Sequence, residues 1–208
     1  MRSAPVPSTL SSPSRARSIS HLDARRPLSK SQIATIARWR ARNEDLGLAT
    51  ARAESIRLAR RIISAEEELI RNREELAALV KASGSAQLLN EVGIGAVNAA
   101  IILVAWSHGG RIRSEAAFAS LSGTCPIPAS SGNTERHRLN RGGDRRLNRA
   151  LSSIALTRMS HDPETRVYVE RRRAEGKTSK EIKRLLKRYI ARQVYRRLNN
   201  PPEIALAT

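Results

Sequence analysis

The sequence has few of the residues on which several classes of protein depend. A single cysteine, Cys125, excludes an internal disulfide framework and favours a reducing compartment. Only 3% of the residues are aromatic, so phosphate contact is a better mode of nucleic-acid binding for this chain than base stacking. No apolar run is long enough to cross a bilayer, and residues 1–33 lack the apolar segment of a secretion signal. We therefore expect a cytoplasmic protein.

Acidic residues are also scarce relative to basic ones. The 208 residues include 38 Lys and Arg against 19 Asp and Glu, for a formal net charge of +19. Such a surplus points to a polyanionic partner, with nucleic acid first and an anionic membrane surface second. Residues 111–198 hold 22 basic and 8 acidic residues, whereas residues 34–82 hold 10 and 8. The C-terminal half therefore carries the electrostatic footprint of a nucleic-acid-binding protein.

Residues 34–82 have the apolar spacing of a long helix. Apolar residues recur in steps of four and three, as in the a and d positions of a coiled coil. This heptad row consists of Ala37, Ala41, Leu48, Ala51, Leu58, Ile62, Ala65, Leu69, Leu76 and Leu79, and Asn72 is a polar member of it. Two interpretations stay open: a coiled-coil arm that forms dimers, and a hairpin packed on its own domain with its turn near 43–47.

Two glycines lie between apolar residues in the segment 92–99, which runs Val-Gly-Ile-Gly-Ala-Val-Asn-Ala. This spacing resembles the helix-hairpin-helix element. Gly93 and Gly95 would allow a sharp turn whose amides sit at the start of the next helix, where free N–H groups and the helix dipole attract a phosphate. The alternative is an ordinary tight turn between two helices.

The remaining segments predict a mainly α fold. Ser114 is typical of an N-cap and predicts a short helix to residue 122, while Asp144 predicts a helix to about Met159. Asp162 followed by proline begins a helix that ends at Gly176, and a last helix covers residues 179–198. The inward residues of the last helix are predicted to be Ile182, Leu185, Leu186, Tyr189, Ile190 and Val194. Prolines and turn residues make the segment 126–133 non-helical.

Four segments taken together resemble one transposase family. They are Val92–Gly95, Ala105–His108, Pro126–Thr134 and Arg136–Asp144, and the basic runs Arg171–Lys177 and Leu186–Arg192 complete the pattern. The family is the one named for insertion sequence one-hundred-and-ten. Its members have an N-terminal RuvC-like nuclease domain with four acidic metal ligands, a helical coiled-coil arm, and a C-terminal transposase domain with a serine in a Ser-Gly motif.

The resemblance implies a domain order and a partner set for this chain. Residues 1–33 would be a disordered basic tail, 34–82 the coiled-coil arm, 83–198 the C-terminal transposase domain and 199–208 a second tail. The resemblance implies duplex DNA as the partner, a guide RNA from the element in some members, and self-association as a homo-oligomer. It also implies a bacterial, nucleoid-associated protein.

The resemblance also implies roles for individual residues. Ser131 would be the nucleophile that forms a phosphoserine link with DNA, with Ser130 as its rival. The residues expected to contact DNA are Gly93, Gly95, Arg136, His137, Arg138, Arg141, Arg145, Arg146 and Arg149. Guanidinium groups match phosphate in a bidentate manner, and they could hold the scissile group.

The sequence departs from the family at its N-terminus. Residues 1–33 contain one acid, Asp23, and the four-carboxylate metal site has no counterpart. We therefore expect a truncated transposase that is inactive alone, with no cofactor in this chain and Mg²⁺ only in the absent domain. The alternatives are a non-catalytic nucleic-acid-binding remnant and a generic basic scaffold protein.

Overall fold

The protein is described from a computed structural model, which places residues 26–128, 137–138, 140 and 142–200. Within these ranges the helices are α1 (Lys30–Ala37), α2 (Leu46–Ala82), a 3-10 helix (Ala86–Asn90), α3 (Ala96–Trp106), α4 (Glu115–Leu121), α5 (Arg145–His161), α6 (Pro163–Ala174) and α7 (Ser179–Asn199). Two short strands, β1 (Ile127–Pro128) and β2 (His137–Arg138), pair antiparallel. The predicted mainly α fold is confirmed. Chain contacts divide the protein into two compact units, Met1–Leu69 and Ile70–Thr208.

The first unit contains two helical segments rather than one. The predicted continuous helix over 34–82 is wrong between residues 38 and 45, where the chain leaves α1 and turns before α2. Asp45 explains the restart, because its side chain accepts a hydrogen bond from the Leu48 amide at 3.1 Å, as an N-cap does. Helix α1 begins at Lys30, inside the segment predicted as a tail, with a Ser29–Gln32 capping box.

Side-chain contacts bring α1 alongside α2 in antiparallel order. Lys30 lies 3.6 Å from the Glu66 carboxylate, and the Arg60 Nε donates to the Ala37 carbonyl at 3.4 Å. Arg52 is buried against Glu44, with its guanidinium 5.3 Å from the centre of the Trp39 ring. This arrangement corresponds to the second interpretation, a hairpin with its turn near 43–47.

The heptad row predicted from the sequence lies on the other side of α2. Its large apolar members in the first unit are 43–57% exposed, namely Leu48, Leu58, Ile62 and Leu69. The buried residues of α2 in this unit are Arg52 and Ala59, which lie on the side that faces α1. The heptad row therefore has no partner among residues 26–69 of the unit, and coiled-coil pairing stays a prediction.

The second unit is built around the contact of α5 with α7, α3 and α6. The caps predicted from the sequence are confirmed: the Ser114 hydroxyl accepts from the Ala117 amide, and Asp144 and Asp162 cap α5 and α6. The core contains Leu88, Ile94, Ile102, Trp106, Phe118, Leu147, Leu151, Ile154, Ile182, Ile190 and Val194, among others. Trp106, Phe118 and Tyr195 meet with ring centres 5.6–6.1 Å apart.

The predicted inward face of α7 is wrong at two residues. Leu185 and Tyr189 are 40% and 68% exposed, whereas Lys187 and Ala191 are buried. The buried set follows a strict helical period from Ile182 through Ile190, and it lies on one side of the helix, which leaves Leu185 and Tyr189 outside it. None of the helices in the described ranges has the length and apolar character that crossing a membrane requires.

Candidate nucleic-acid interface

Gly93 makes the turn between the 3-10 helix and α3. Its φ is +81°, a conformation that side chains other than glycine rarely adopt. A Cβ atom at this position would lie 3.1 Å from the Ile154 carbonyl oxygen and 3.3 Å from the Thr157 Cβ. The turn therefore packs directly on α5, and both its backbone angle and its surroundings require glycine.

Gly95 is the N-cap of α3 and supplies no side-chain hydrogen bond to the first turn. The first amides of a helix have no intrahelical acceptor, so the amides that follow Gly95 need a partner from outside the helix. A Cβ atom at Gly95 would meet no atom of the described residues within 4 Å. The helix start is thus open to an approaching group, which is the arrangement in which a helix N-terminus can accept a phosphate.

The carbonyl groups of the turn are held by side chains. The Asn98 amide donates to the Gly93 carbonyl at 3.1 Å, and the Arg158 Nε donates to the Val92 carbonyl at 2.8 Å. The Arg158 Nη1 also donates to Gln193 Oε1 at 2.7 Å. The turn is therefore fixed to α5 and α7 through its acceptors, and its Ile94 amide donates to the Glu91 carbonyl at 3.0 Å. The amides of residues 96–98, in the first turn of α3, have no acceptor among the described residues.

Arg158 is buried and charged, and the sequence reasoning missed it. Only 8% of its surface is exposed, and its Nη2 lies 3.6 Å from the Glu91 carboxylate. Burial lowers the pKa of the Arg158 guanidinium, and the nearby Glu91 carboxylate opposes that shift. The signal was available: Arg158 continues the spacing of Leu147, Leu151 and Ile154 along the buried face of α5.

The N-terminal end of α5 presents three exposed arginines. The Asp144 carboxylate accepts from the Arg146 and Leu147 amides at 2.7 and 2.9 Å, so this helix start is already capped. Arg145, Arg146 and Arg149 are exposed, and none of them forms an ion pair with another described residue. Gly93 contacts the same helix further along, at Ile154, which is about 12 Å from Arg146 at 1.5 Å per residue.

The two ends of the segment with the candidate nucleophile meet beside α5. The Asp144 amide donates to the Leu121 carbonyl at 2.7 Å, and Gly143, with φ +90°, lies so close that a Cβ atom would be 2.3 Å from the same oxygen. Strand pairing of Ile127 with Arg138 joins the ends again. The position at Gly143 therefore admits no other residue without displacement of the backbone.

A second buried polar group, also unforeseen from the sequence, supports this junction. The Asn148 amide donates to the Ser122 carbonyl at 2.7 Å, and Lys187 on α7 donates to Asn148 Oδ1 at 2.8 Å. Lys187 is 8% exposed and forms no ion pair with another described residue. Burial lowers its pKa, and the cations Lys183 and Arg184 lower it further.

The structure describes only some of the predicted site residues. Gly93, Gly95, Arg145, Arg146 and Arg149 lie in the second unit as described above. Ser130, Ser131, Arg136 and Arg141 lie outside the described residues, and His137 and Arg138 are described only as the backbone of β2. The predicted tails, apart from residues 26–33 and 199–200, also lie outside.

Comparison with known proteins finds a family similarity within the second unit. Residues 85–170 match the family described as Transposase IS116/IS110/IS902 family. Over these residues the chain is similar in sequence to transposases of that family. It includes the glycine turn, the junction at Gly143 and all of α5, so the family match covers the described part of the candidate interface.

A relative from Streptomyces coelicolor, described as an insertion element IS110 uncharacterized 43.6 kDa protein, supports the same relationship. It is 36% identical to this chain over 106 residues, which are 50% of this chain and 26% of the relative. The chain therefore matches about a quarter of the length of that relative. The resemblance predicted from the sequence is confirmed over residues 85–170.

Proposed function

We propose that this protein engages DNA as the C-terminal part of an insertion-sequence transposase. The family relationship supports a transposase function in general. The observation that carries DNA contact is the set of exposed arginines at the start of α5, which lack carboxylate partners among the described residues. Unpaired guanidinium groups bind phosphate without reading sequence, so they would position DNA rather than select it.

The glycine turn would supply a second phosphate contact. Its amides at the start of α3 lack a side-chain cap, and its carbonyls are occupied by Asn98 and Arg158. An anion at this helix start would be stabilised by the free N–H groups and the helix dipole. Together, the turn and the arginines would hold a DNA backbone along α5.

Salt dependence of DNA binding tests the arginine contacts. Each phosphate neutralised on B-DNA contributes about 0.9 to the slope of log affinity against log salt. We expect simultaneous replacement of Arg145, Arg146 and Arg149 by Gln to make that slope shallower by about 2.7. The measurement is fluorescence anisotropy with a labelled duplex across a series of NaCl concentrations.

A matched variant controls for the loss of net charge. Replacement of Arg71, Arg73 and Lys81 by Gln removes the same charge from exposed positions of α2 that form no ion pair with another described residue. If this variant and the α5 variant change the salt slope equally, the binding is not localised at α5 and this part of the proposal fails.

For the chemistry, we propose that the Ser131 hydroxyl gives up its proton and attacks the phosphorus of a DNA phosphodiester, so that a phosphoserine bond forms while one phosphorus–sugar oxygen bond breaks and that oxygen leaves as a protonated hydroxyl. We further propose that the chain alone does not complete strand transfer. Serine needs activation by a base or a neighbouring charge, and the family resemblance places the metal-binding carboxylates in a domain that has no counterpart in this sequence. Mg²⁺ would act through that domain, and a guide RNA from the element would be a further partner. The second candidate is a remnant that binds DNA without chemistry.

Covalent trapping on a denaturing gel separates these possibilities. We expect no protein–DNA adduct from the isolated chain and an adduct from a fusion to a family nuclease domain. In the fusion, Ser131→Ala should abolish the adduct and Ser130→Ala should leave it. The opposite result would move the nucleophile to Ser130, and an adduct from the isolated chain would show that it is competent alone.

A further inference from the structure

We propose that α7 carries a second nucleic-acid-binding surface, on which the ring of Tyr189 stacks against an unpaired base of a single strand. The proposal goes beyond the duplex contacts of α5, because it concerns other residues and a strand whose bases are not paired. It also concerns a helix that begins at Ser179, after the segment 85–170 that matches the transposase family.

Among the described residues, Tyr189 is the one aromatic side chain without a ring or guanidinium partner. The chain contains two Trp, three Tyr and one Phe, and all of them lie in the described ranges. The other rings are in contact with one another or with a cation: Trp106, Phe118 and Tyr195 in the core cluster, Trp39 with Arg52, and Tyr168 with Arg171 and Arg172. Tyr189 is instead 68% exposed. A partner that covers this ring would gain the large contact area that an aromatic side chain offers.

The ring belongs to a stripe of exposed residues along one face of α7. Leu185, Tyr189, Arg192 and Arg196 follow one another in steps of four, three and four residues, so they share this face of the helix. Arg188 borders it, three residues after Leu185 and four before Arg192. We call these five residues the α7 stripe. It places guanidinium groups one residue before and three residues after the ring.

The α7 stripe carries more positive charge than its described neighbours neutralise. Arg192 and Arg196 share one carboxylate, that of Glu115, at 2.6 and 3.6 Å. Arg188 forms no ion pair with another described residue. Glu181, the one acidic residue of α7, is held in the capping box at the start of the helix. The stripe therefore combines an excess of positive charge with an uncovered ring, and its partner should be an anion with a flat apolar part.

A single strand of nucleic acid matches both parts of the α7 stripe. Its phosphates accept hydrogen bonds from guanidinium groups, and each unpaired base offers a face on which an aromatic ring can stack. A regular duplex matches less well, because its bases are already stacked on one another and their faces are covered. An acidic peptide supplies the charge, but its carboxylate side chains offer the ring no flat apolar surface. Charge and ring together therefore favour an unpaired strand of DNA or RNA.

Removal of the ring and removal of the bases together test the stacking contact. The full chain is titrated with a fluorescent oligothymidylate and with an abasic strand of the same length and charge, and binding is measured by anisotropy at fixed salt. We expect Tyr189→Ala to weaken binding of the oligothymidylate by about fivefold to 150-fold, as the loss of one stacked aromatic ring does, and to leave binding of the abasic strand unchanged. Tyr189→Phe keeps the ring and should bind as the native chain does. An equal loss on both strands, or an equal loss in Tyr189→Phe, would overturn the proposal.

A matched variant controls for the removal of an exposed apolar side chain. Val167 on α6 is 68% exposed, like Tyr189, and lies outside the α7 stripe. Val167→Ala should therefore leave the affinity for both strands unchanged. A loss of oligothymidylate binding equal to that of Tyr189→Ala would show that the effect is not local to the stripe and would overturn the proposal.

Tryptophan fluorescence reports contact at the position itself. Tyr189→Trp and Val167→Trp each add one exposed indole to the native chain, the first on the α7 stripe and the second outside it. Because a stacked base quenches indole fluorescence, we expect oligothymidylate to quench the emission of Tyr189→Trp more strongly than that of Val167→Trp. Equal quenching of the two variants would overturn the proposal.

The last comparison concerns the source of the strand. Oligothymidylate and oligouridylate of equal length are compared with the native chain and with Tyr189→Ala. Binding of either strand that depends on Tyr189 supports the surface, and the tighter of the two identifies DNA or RNA as its partner. A poly-glutamate peptide that competes as well as the strands do would identify an acidic protein instead and would overturn the proposal.

This test is separate from the test of duplex binding by α5. Replacement of Arg145, Arg146 and Arg149 by Gln is expected to weaken duplex binding, whereas Tyr189→Ala should leave the affinity for a duplex of the same length unchanged. Loss of duplex binding in the α5 variant alone therefore leaves the α7 proposal to be decided by the single strands. An equal loss of duplex and single-strand binding in Tyr189→Ala would contradict a site for unpaired bases.

Discussion

Removal of the buried guanidinium at Arg158 should destabilise the second unit markedly. Arg158→Met keeps most of the aliphatic volume but removes the hydrogen bonds to the Val92 carbonyl and to Gln193. A hydrogen bond to a charged group contributes about 1.5–3 kcal/mol, and a buried acceptor left without a donor loses a comparable amount. Glu91 keeps its contacts with Arg197 and Gln193, so its carboxylate is not left alone. We therefore expect the free energy of unfolding to fall by about 3 kcal/mol.

The assay is urea unfolding followed by circular dichroism, with Arg192→Met as the matched control. Arg192 forms an ion pair of 2.6 Å with Glu115, but its side chain is 49% exposed, so its loss should cost less than about 1 kcal/mol. A double-mutant cycle of Arg158→Met with Glu91→Gln then measures the coupling within the network. Equal and small losses for the two arginine variants would refute the idea that Arg158 holds the glycine turn on α5.

Three further predictions concern single positions. Gly93→Ala should lower the free energy of unfolding, measured with urea, by about 1–3 kcal/mol because Gly93 has a positive φ and lies against Ile154. Gly95→Ala should keep most of the stability and weaken duplex binding measured by fluorescence anisotropy. Equal behaviour of the two variants would contradict this prediction. Leu69→Asp should convert the chain to a monomer in sedimentation, because it puts a charge in the heptad row; an unchanged mass would mean that the row is not an interface. Burial lowers the pKa of Lys187, so the unfolded state binds more protons than the native state between that lowered pKa and the ordinary lysine value. In this pH range, the free energy of unfolding of the native protein should therefore rise with pH relative to that of Lys187→Met. A difference in unfolding free energy that does not change with pH would show that Lys187 is not desolvated.

Local signals in the sequence predicted much of the second unit. A cap acts through hydrogen bonds to residues two or three positions away, so Ser114, Asp144 and Asp162 announce their helices without knowledge of the fold. The same is true of Gly93, whose place between apolar residues indicated a turn before α3. These features depend on neighbours in the chain, and for that reason they were predicted correctly.

Features that depend on distant residues were not predicted. Arg158 finds its acceptors at Val92 and Gln193, and Lys187 finds its acceptor at Asn148 on another helix. Neither partnership is encoded in spacing along the chain. The break between α1 and α2 is one of two interpretations that the sequence leaves open, because the apolar row continues through residues 37–48 while Asp45 and Gly47 give a local signal for a new start.

The two tryptophans give each compact unit its own optical reporter. Trp106 is 5% exposed and lies within the ring cluster of the second unit, whereas Trp39 is half-buried in the first unit beneath the Arg52 guanidinium. With two tryptophans in the whole chain, Trp39→Phe and Trp106→Phe each leave one fluorophore in one unit. Denaturation of the pair of variants therefore reads the two units separately, and the difference between their midpoints measures how far the units unfold as one.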